Sequence, residues 1–144
     1  MKDIERIEKF IAKHHVLTLA SVSVDDKGIA EPYCANMFYA YIADAKAFVF
    51  TSDVATRHIS DVLNNDKVAG SVVLETSVVG KIQGLQFQGR IFKDSENKMK
   101  SAYLKKYPFA AVATLQLWAL ELSFMKFTDN RLGFGKKLIW TRDE

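Results

Sequence analysis

Residues 50–58 read Phe-Thr-Ser-Asp-Val-Ala-Thr-Arg-His. Thr51, Ser52 and Thr56 carry hydroxyls that can donate to an oxyanion. Arg57 can add a charge-assisted, bidentate pair. Ile59, Val62 and Leu63 follow at helical spacing, which places the stretch where a strand enters a helix. The unpaired N–H groups and partial positive charge of a helix start favour an anion there. The same residue types also make ordinary helix caps, so local chemistry points to an anion site without naming the anion.

No other motif competes with this one. His14 and His15 are adjacent, cannot share a helix face, and read as surface or packing residues rather than metal ligands. Gly133-Phe134-Gly135 lacks the spacing and context of a dinucleotide loop. Ser21 and Ser23 sit in a strand with no nucleophile elbow. Cys34, in an apolar strand, reads as an inert buried thiol. No carboxylate pair is spaced for acid–base work, and no residue set suggests a metal site. Trp118 and Trp140 fit a core or an interface.

The elements that position the turn follow from periodicity. Residues 3–14 form an amphipathic helix with Ile4, Ile7, Phe10 and Ile11 on one face and Asp3 as its expected N-cap. The pattern then alternates with period two over residues 16–24, and the turn Asp25-Asp26-Lys27-Gly28 joins this strand to a second long one over 29–42. A short apolar strand at 47–51 leads into a short helix within 52–65, with Thr56 or Asp53 near its start. Two strands, 67–76 and 81–93, precede a helix that Asp94 or Ser95 caps and Pro108 ends. A long strand at 115–128, a turn at 129–135 and a strand at 136–142 complete a single domain, 1–144. About seven strands, mostly hairpin-connected, with three helices inserted singly, predict an α+β or closed-barrel fold.

Composition narrows the function classes. The chain has 144 residues, a formal net charge of +3 and one cysteine. Its basic residues are scattered, not gathered in the stripe or arm of a nucleic-acid binder. A single cysteine excludes an intramolecular disulfide and a Cys-based zinc site. No apolar run has the length of a membrane span or of a signal peptide, so a cytoplasmic protein is expected.

The strand ending Phe48-Val49-Phe50-Thr51-Ser52, the run Ala55-Thr56-Arg57-His58, and the following strand pair with Gly84, Gln88-Gly89 and Arg90 together resemble the FMN-binding split β-barrel superfamily, the pyridoxamine 5′-phosphate oxidase-like proteins. The likeness covers most of residues 1–128. The tail, Phe127-Thr128-Asp129-Asn130 and then Gly133 to Trp140, resembles a small bacterial branch of it. The resemblance implies a mainly β antiparallel split barrel of six to seven strands with about three short helices. It also implies a homodimer with two FMN molecules in clefts between subunits.

Under that resemblance Thr56 and Arg57 hold the FMN phosphate, and Phe50, Thr51 and Ser52 lie beside the ribityl chain. His58 stands where relatives often have a second Lys or Arg, so it would act protonated or as a neutral hydrogen-bond partner. Asn36 and Met37 lie on the strand facing the isoalloxazine ring. That strand, Tyr33-Cys34-Ala35-Asn36-Met37-Phe38, lacks the basic pattern of the vitamin B6 oxidases, so cofactor can be shared without substrate. Gln83 lies near the position of a flavin-contacting glutamine. Trp140 and one of Lys136 and Lys137 would approach the partner's cofactor. The implied function is a flavin-dependent oxidoreductase acting on a small molecule. The alternatives are a non-catalytic flavin or haem carrier, with His14, His15 and His58 the imidazole candidates, and a cofactor-free dimeric module.

Overall fold

The computed structural model describes residues 1–143. Helix α1 (Asp3–Lys13) leads into strands β1 (Val16–Val24), β2 (Ala30–Phe38), β3 (Ala40–Ile42) and β4 (Ala47–Thr51). Helix α2 (Arg57–Asn64) precedes β5 (Lys67–Val73) and β6 (Gln83–Lys93). Helix α3 (Lys100–Lys106), β7 (Leu117–Asp129) and β8 (Lys137–Thr141) follow. All strand pairs are antiparallel, in the order β2-β1-β5-β6-β7-β4-β3, with β8 on β7.

The eight strands exceed the expected six to seven because the second long strand divides at Tyr39. Its first part pairs with β1 and its second with β4, so one residue carries the chain from one end of the strand order to the other. This step splits and closes the barrel. Tyr39 is fully buried. Its N–H donates to His15 O at 2.9 Å, its hydroxyl to Ile11 O at 2.6 Å, and its carbonyl accepts from the Tyr107 hydroxyl at 2.6 Å. Each polar group of the crossover is therefore satisfied inside the protein.

The alternation in β1 puts Leu17, Leu19 and Ser21 inward. β4 is buried at Ala47 through Phe50 because both of its faces are covered: Phe48 and Phe50 enter the main core, and Val49 enters a smaller cluster with Tyr103, Tyr107 and Leu117. Such a strand reads as an unbroken apolar run. Gly70 is required by close approach: a Cβ there would lie 2.3 Å from the Phe87 ring and 2.3 Å from Thr18 O. Gly89 marks a bulge against β7.

Three expectations are corrected. Lys2, not Asp3, is the N-cap of α1; Asp3 lies in the first turn, where its charge suits the helix dipole. The helix expected within 52–65, with Thr56 or Asp53 near its start, begins at Arg57 with Thr56 as its N-cap, as expected, whereas the one expected from Asp94 begins only at Lys100. Asp94 instead accepts from the N–H groups of Lys98 (3.0 Å) and Met99 (2.8 Å), ordering the turn before α3. Cys34 is exposed, because β2 is the terminal strand of the order and its outward face meets nothing in the chain.

Candidate functional site

β4 delivers Thr51 and Ser52 to the mouth of α2. Ser52 is tied at both backbone ends: its N–H donates to Gln116 O (3.1 Å), and its carbonyl accepts from the Trp118 indole (2.9 Å). Asp53 and Thr56 close a turn in which Asp53 Oδ1 accepts from Ala55 N (2.7 Å) and Asp53 O accepts from Thr56 N (3.1 Å). Thr56 is the N-cap residue of α2, yet its side chain does not cap the helix. Its hydroxyl donates back to Asp53 O at 2.7 Å. The first N–H groups of α2, those of Arg57, His58 and Ile59, have no intrahelical acceptor by geometry. Among the described residues no side chain supplies one.

Beside this helix start lies a cluster of polar side chains. Ser52 Oγ is 2.6 Å from His58 Nε2, and Thr56 Oγ1 is 3.4 Å from both. Burial lowers the His58 pKa from its ordinary 6.5, with Asp61 partly opposing. The imidazole is therefore mainly neutral at pH 7, and of the two roles open to it the structure favours the neutral hydrogen-bond partner.

Arg57 points along the surface. It donates to Glu31 (2.7 Å), lies 4.4 Å over the Tyr33 ring and stands 3.9 Å from Asp61. Asp61 is buried and accepts from Ser21 Oγ at 3.0 Å, which pins α2 to β1. An anion at the helix start would compete with Glu31 for the guanidinium. Glu31, Tyr33, Asp61 and Ser21 were not anticipated. The available signals were a serine at a core position of an alternating strand, an acid four residues after Arg57, and Glu31 and Tyr33 sharing one strand face.

The remaining predicted residues do not gather at this turn. Phe50 is fully buried, so it offers only backbone. Asn36 accepts from Thr18 Oγ1 at 2.7 Å on the outer face of the sheet, while Met37, one residue on, packs against the main core. Gln83 accepts from Arg131 at 3.1 Å, at the end of the barrel covered by α1. Trp140 packs against the main core, and Lys136 is exposed with its carbonyl accepting from Asp129 N. The turn therefore unites Thr51, Ser52, Thr56, Arg57 and His58; the others lie on separate faces.

A groove of about 580 Å³ crosses β1, β5, β6 and β7, lined mainly by apolar groups including Ala20, Val22, Val68, Gly89 and Leu122. Its volume is that of a small-molecule site, but the turn does not line it. Among the described residues no group of His, Cys, Asp and Glu could hold a metal ion, and no helix is long and apolar enough to cross a membrane.

Comparison with known proteins agrees with this architecture. The sequence model of the family described as pyridoxamine 5′-phosphate oxidase matches residues 4–125. A UPF0306 protein of Klebsiella pneumoniae (strain 342) is 41% identical, over 99% of this chain and 96% of its own. The fold is similar to that of a haem-binding protein from Mycobacterium smegmatis, with TM-score 0.75 and 15% identity over 98% of this chain and 58% of the other. It is also similar to an FAD-binding protein from Mesorhizobium loti, with TM-score 0.64 and 17% identity over 88% of this chain and 94% of the other.

Proposed function

The chain belongs to the pyridoxamine 5′-phosphate oxidase family, and from that premise we propose that it is a cytoplasmic, homodimeric FMN-binding protein that acts as a flavin-dependent oxidoreductase on a small molecule. The observation that carries the reading is the uncapped start of α2. A threonine at the N-cap turns its hydroxyl away and leaves the helix N–H groups free beside Ser52 and His58. Those donors fit a phosphate. Arg57 adds the charge when it exchanges Glu31 for the ligand.

In this reading the N–H groups of Arg57, His58 and Ile59 and the Ser52 hydroxyl hold the phosphate, and Thr56, its own hydroxyl given to Asp53 O, shapes the turn that leaves those groups free. Neutral His58 fixes the Ser52 hydroxyl. The strand end at Thr51 flanks the ribityl chain. Bound flavin supplies the hydride or electron transfer, and the protein orients it. A second copy packed over the apolar groove on β1, β5 and β6 would complete the cleft from which the ring is read.

The test is the purified full chain. It should be yellow, release a fluorescent flavin on heating, and bind added FMN. Arg57→Ala should weaken that binding by about tenfold or more, since a charge-assisted contact is lost. A colourless protein that fails to bind FMN overturns the proposal. If instead the protein takes up haem, and His58→Ala abolishes the haem absorption band, the same barrel is a haem carrier.

A further inference from the structure

At the opposite end of the barrel, a polar concavity of about 110 Å³ opens between α1 and the paired ends of β6 and β7. It is lined by Arg6, Lys9 and Lys13 from the helix, by Gln83, and by Asp129 and Arg131. Positions 6, 9 and 13 share one helix face. Among the described residues none of these three cations pairs with a carboxylate.

The one carboxylate of the lining is already committed. Asp129 is buried; its Oδ1 accepts from Arg131 N and Nε (3.0 Å each), and its Oδ2 accepts from Arg131 Nη2 (2.9 Å). Arg131 beside it, with Arg6 contributing, holds the Asp129 pKa below its ordinary value, so the carboxylate is ionised. Gln83 accepts from the same guanidinium. Arg131 is thus locked in orientation, with Nη1 unpartnered among the described residues. Four cations, with Lys9, Lys13 and Arg131 exposed, line a concavity whose one carboxylate is spent, and an anion there would offset their mutual repulsion.

We propose that this concavity binds a phosphate-sized oxyanion, either free phosphate or the phosphoryl group of a small monoester. Its volume of about 110 Å³ fits one tetrahedral group, with any ester group left outside it. The locked Arg131 supplies directional donors, and the helix cations supply charge. This site stands apart from the turn at α2 and does not depend on what binds there.

Calorimetric titration of the full chain at constant ionic strength, first with inorganic phosphate and then with glycerol 3-phosphate, tests the proposal. Saturable binding of one anion per concavity is expected. It should persist at the parental affinity in Thr56→Ala/Arg57→Ala, which weakens the other anion site. It should weaken by about two- to fivefold per cation removed in Arg6→Gln/Lys9→Gln. That variant should unfold no earlier than the parent in phosphate-free buffer, since it relieves repulsion. Lys13→Gln should show a smaller loss. Tighter binding of the monoester assigns the site to a metabolite phosphoryl group; equal or weaker binding assigns it to free phosphate. No saturable binding, or binding that ignores Arg6, Lys9 and Lys13, overturns it.

Discussion

The two ends of the barrel offer donors to an anion by different physics. At the α2 end the positive field comes from dipoles: free helix N–H groups, hydroxyls and a neutral imidazole, with one guanidinium already shared with Glu31. At the α1 end it comes from whole charges on long side chains around a locked Arg131. Dipoles are only as good as the packing that aims them. The α2 end is therefore built on buried contacts, Ile59 and Val62 in the core and Asp61 on Ser21. Side-chain charges need less scaffolding but repel one another, so the α1 end relies on one buried carboxylate to orient one arginine. The first design couples binding to fold stability; the second couples it to ionic conditions.

The largest effect should come from breaking what both ends share. In Gly70→Ala the added Cβ collides with the Phe87 ring and the Thr18 carbonyl. Overpacking of this kind costs about 1–3 kcal/mol or more. Urea unfolding should show the loss, and FMN and phosphate binding should decline together. Loss at one end only would show that the ends do not share a scaffold.

Asp61→Ala isolates the dipolar end. It strands the Ser21 hydroxyl in a buried position and frees α2 from β1. The expected cost is about 1–3 kcal/mol. FMN binding should fall with it, while phosphate binding at the α1 end stays at the parental value. Equal loss at both ends would erase the distinction between them.

How much of this was legible in the sequence differs between fold and site. Alternation in β1 and the apolar run of β4 state their burial directly. The break at Tyr39 is invisible, because residues 37–42 are one unbroken apolar and aromatic run with no turn residue, and only barrel closure, a non-local event, divides them. Cys34 was misread for a related reason: apolar neighbours suggest burial, but a strand at the end of the order has one uncovered face. The turn at 51–58 was legible because its residues are contiguous. Asn36 and Met37 were not separable without the register, since adjacent strand residues face opposite ways. Gln83 shares a face with Leu85 and Phe87 and so reaches the α1 end. The cations at 6, 9 and 13 lie on one face of a readable helix, but nothing local in the sequence says that Arg131 joins them.

The smallest effect expected is a pH dependence in which the imidazole of the dipolar end takes part. Burial depresses the His58 pKa below 6.5. As pH falls past that value, the unfolded chain takes up a proton that folded His58 still refuses. The unfolded state then binds more protons, and stability falls until the folded imidazole itself titrates. His14, also depressed by burial, contributes in the same direction. Asp129 does not act in this window, because Arg131 holds its pKa below the ordinary carboxylate value of 3.8. The urea midpoint should therefore decline between pH 7 and about pH 5, less steeply in His58→Asn, and less steeply again when His14→Asn is added. FMN binding should move the other way, because a protonated His58 adds charge beside the phosphate. Fold and affinity diverging with acid is the signature of an imidazole that is costly to charge and useful once charged. An unchanged slope in His58→Asn would assign the dependence to His14 and leave Ser52 and the helix N–H groups as the whole of the dipolar site.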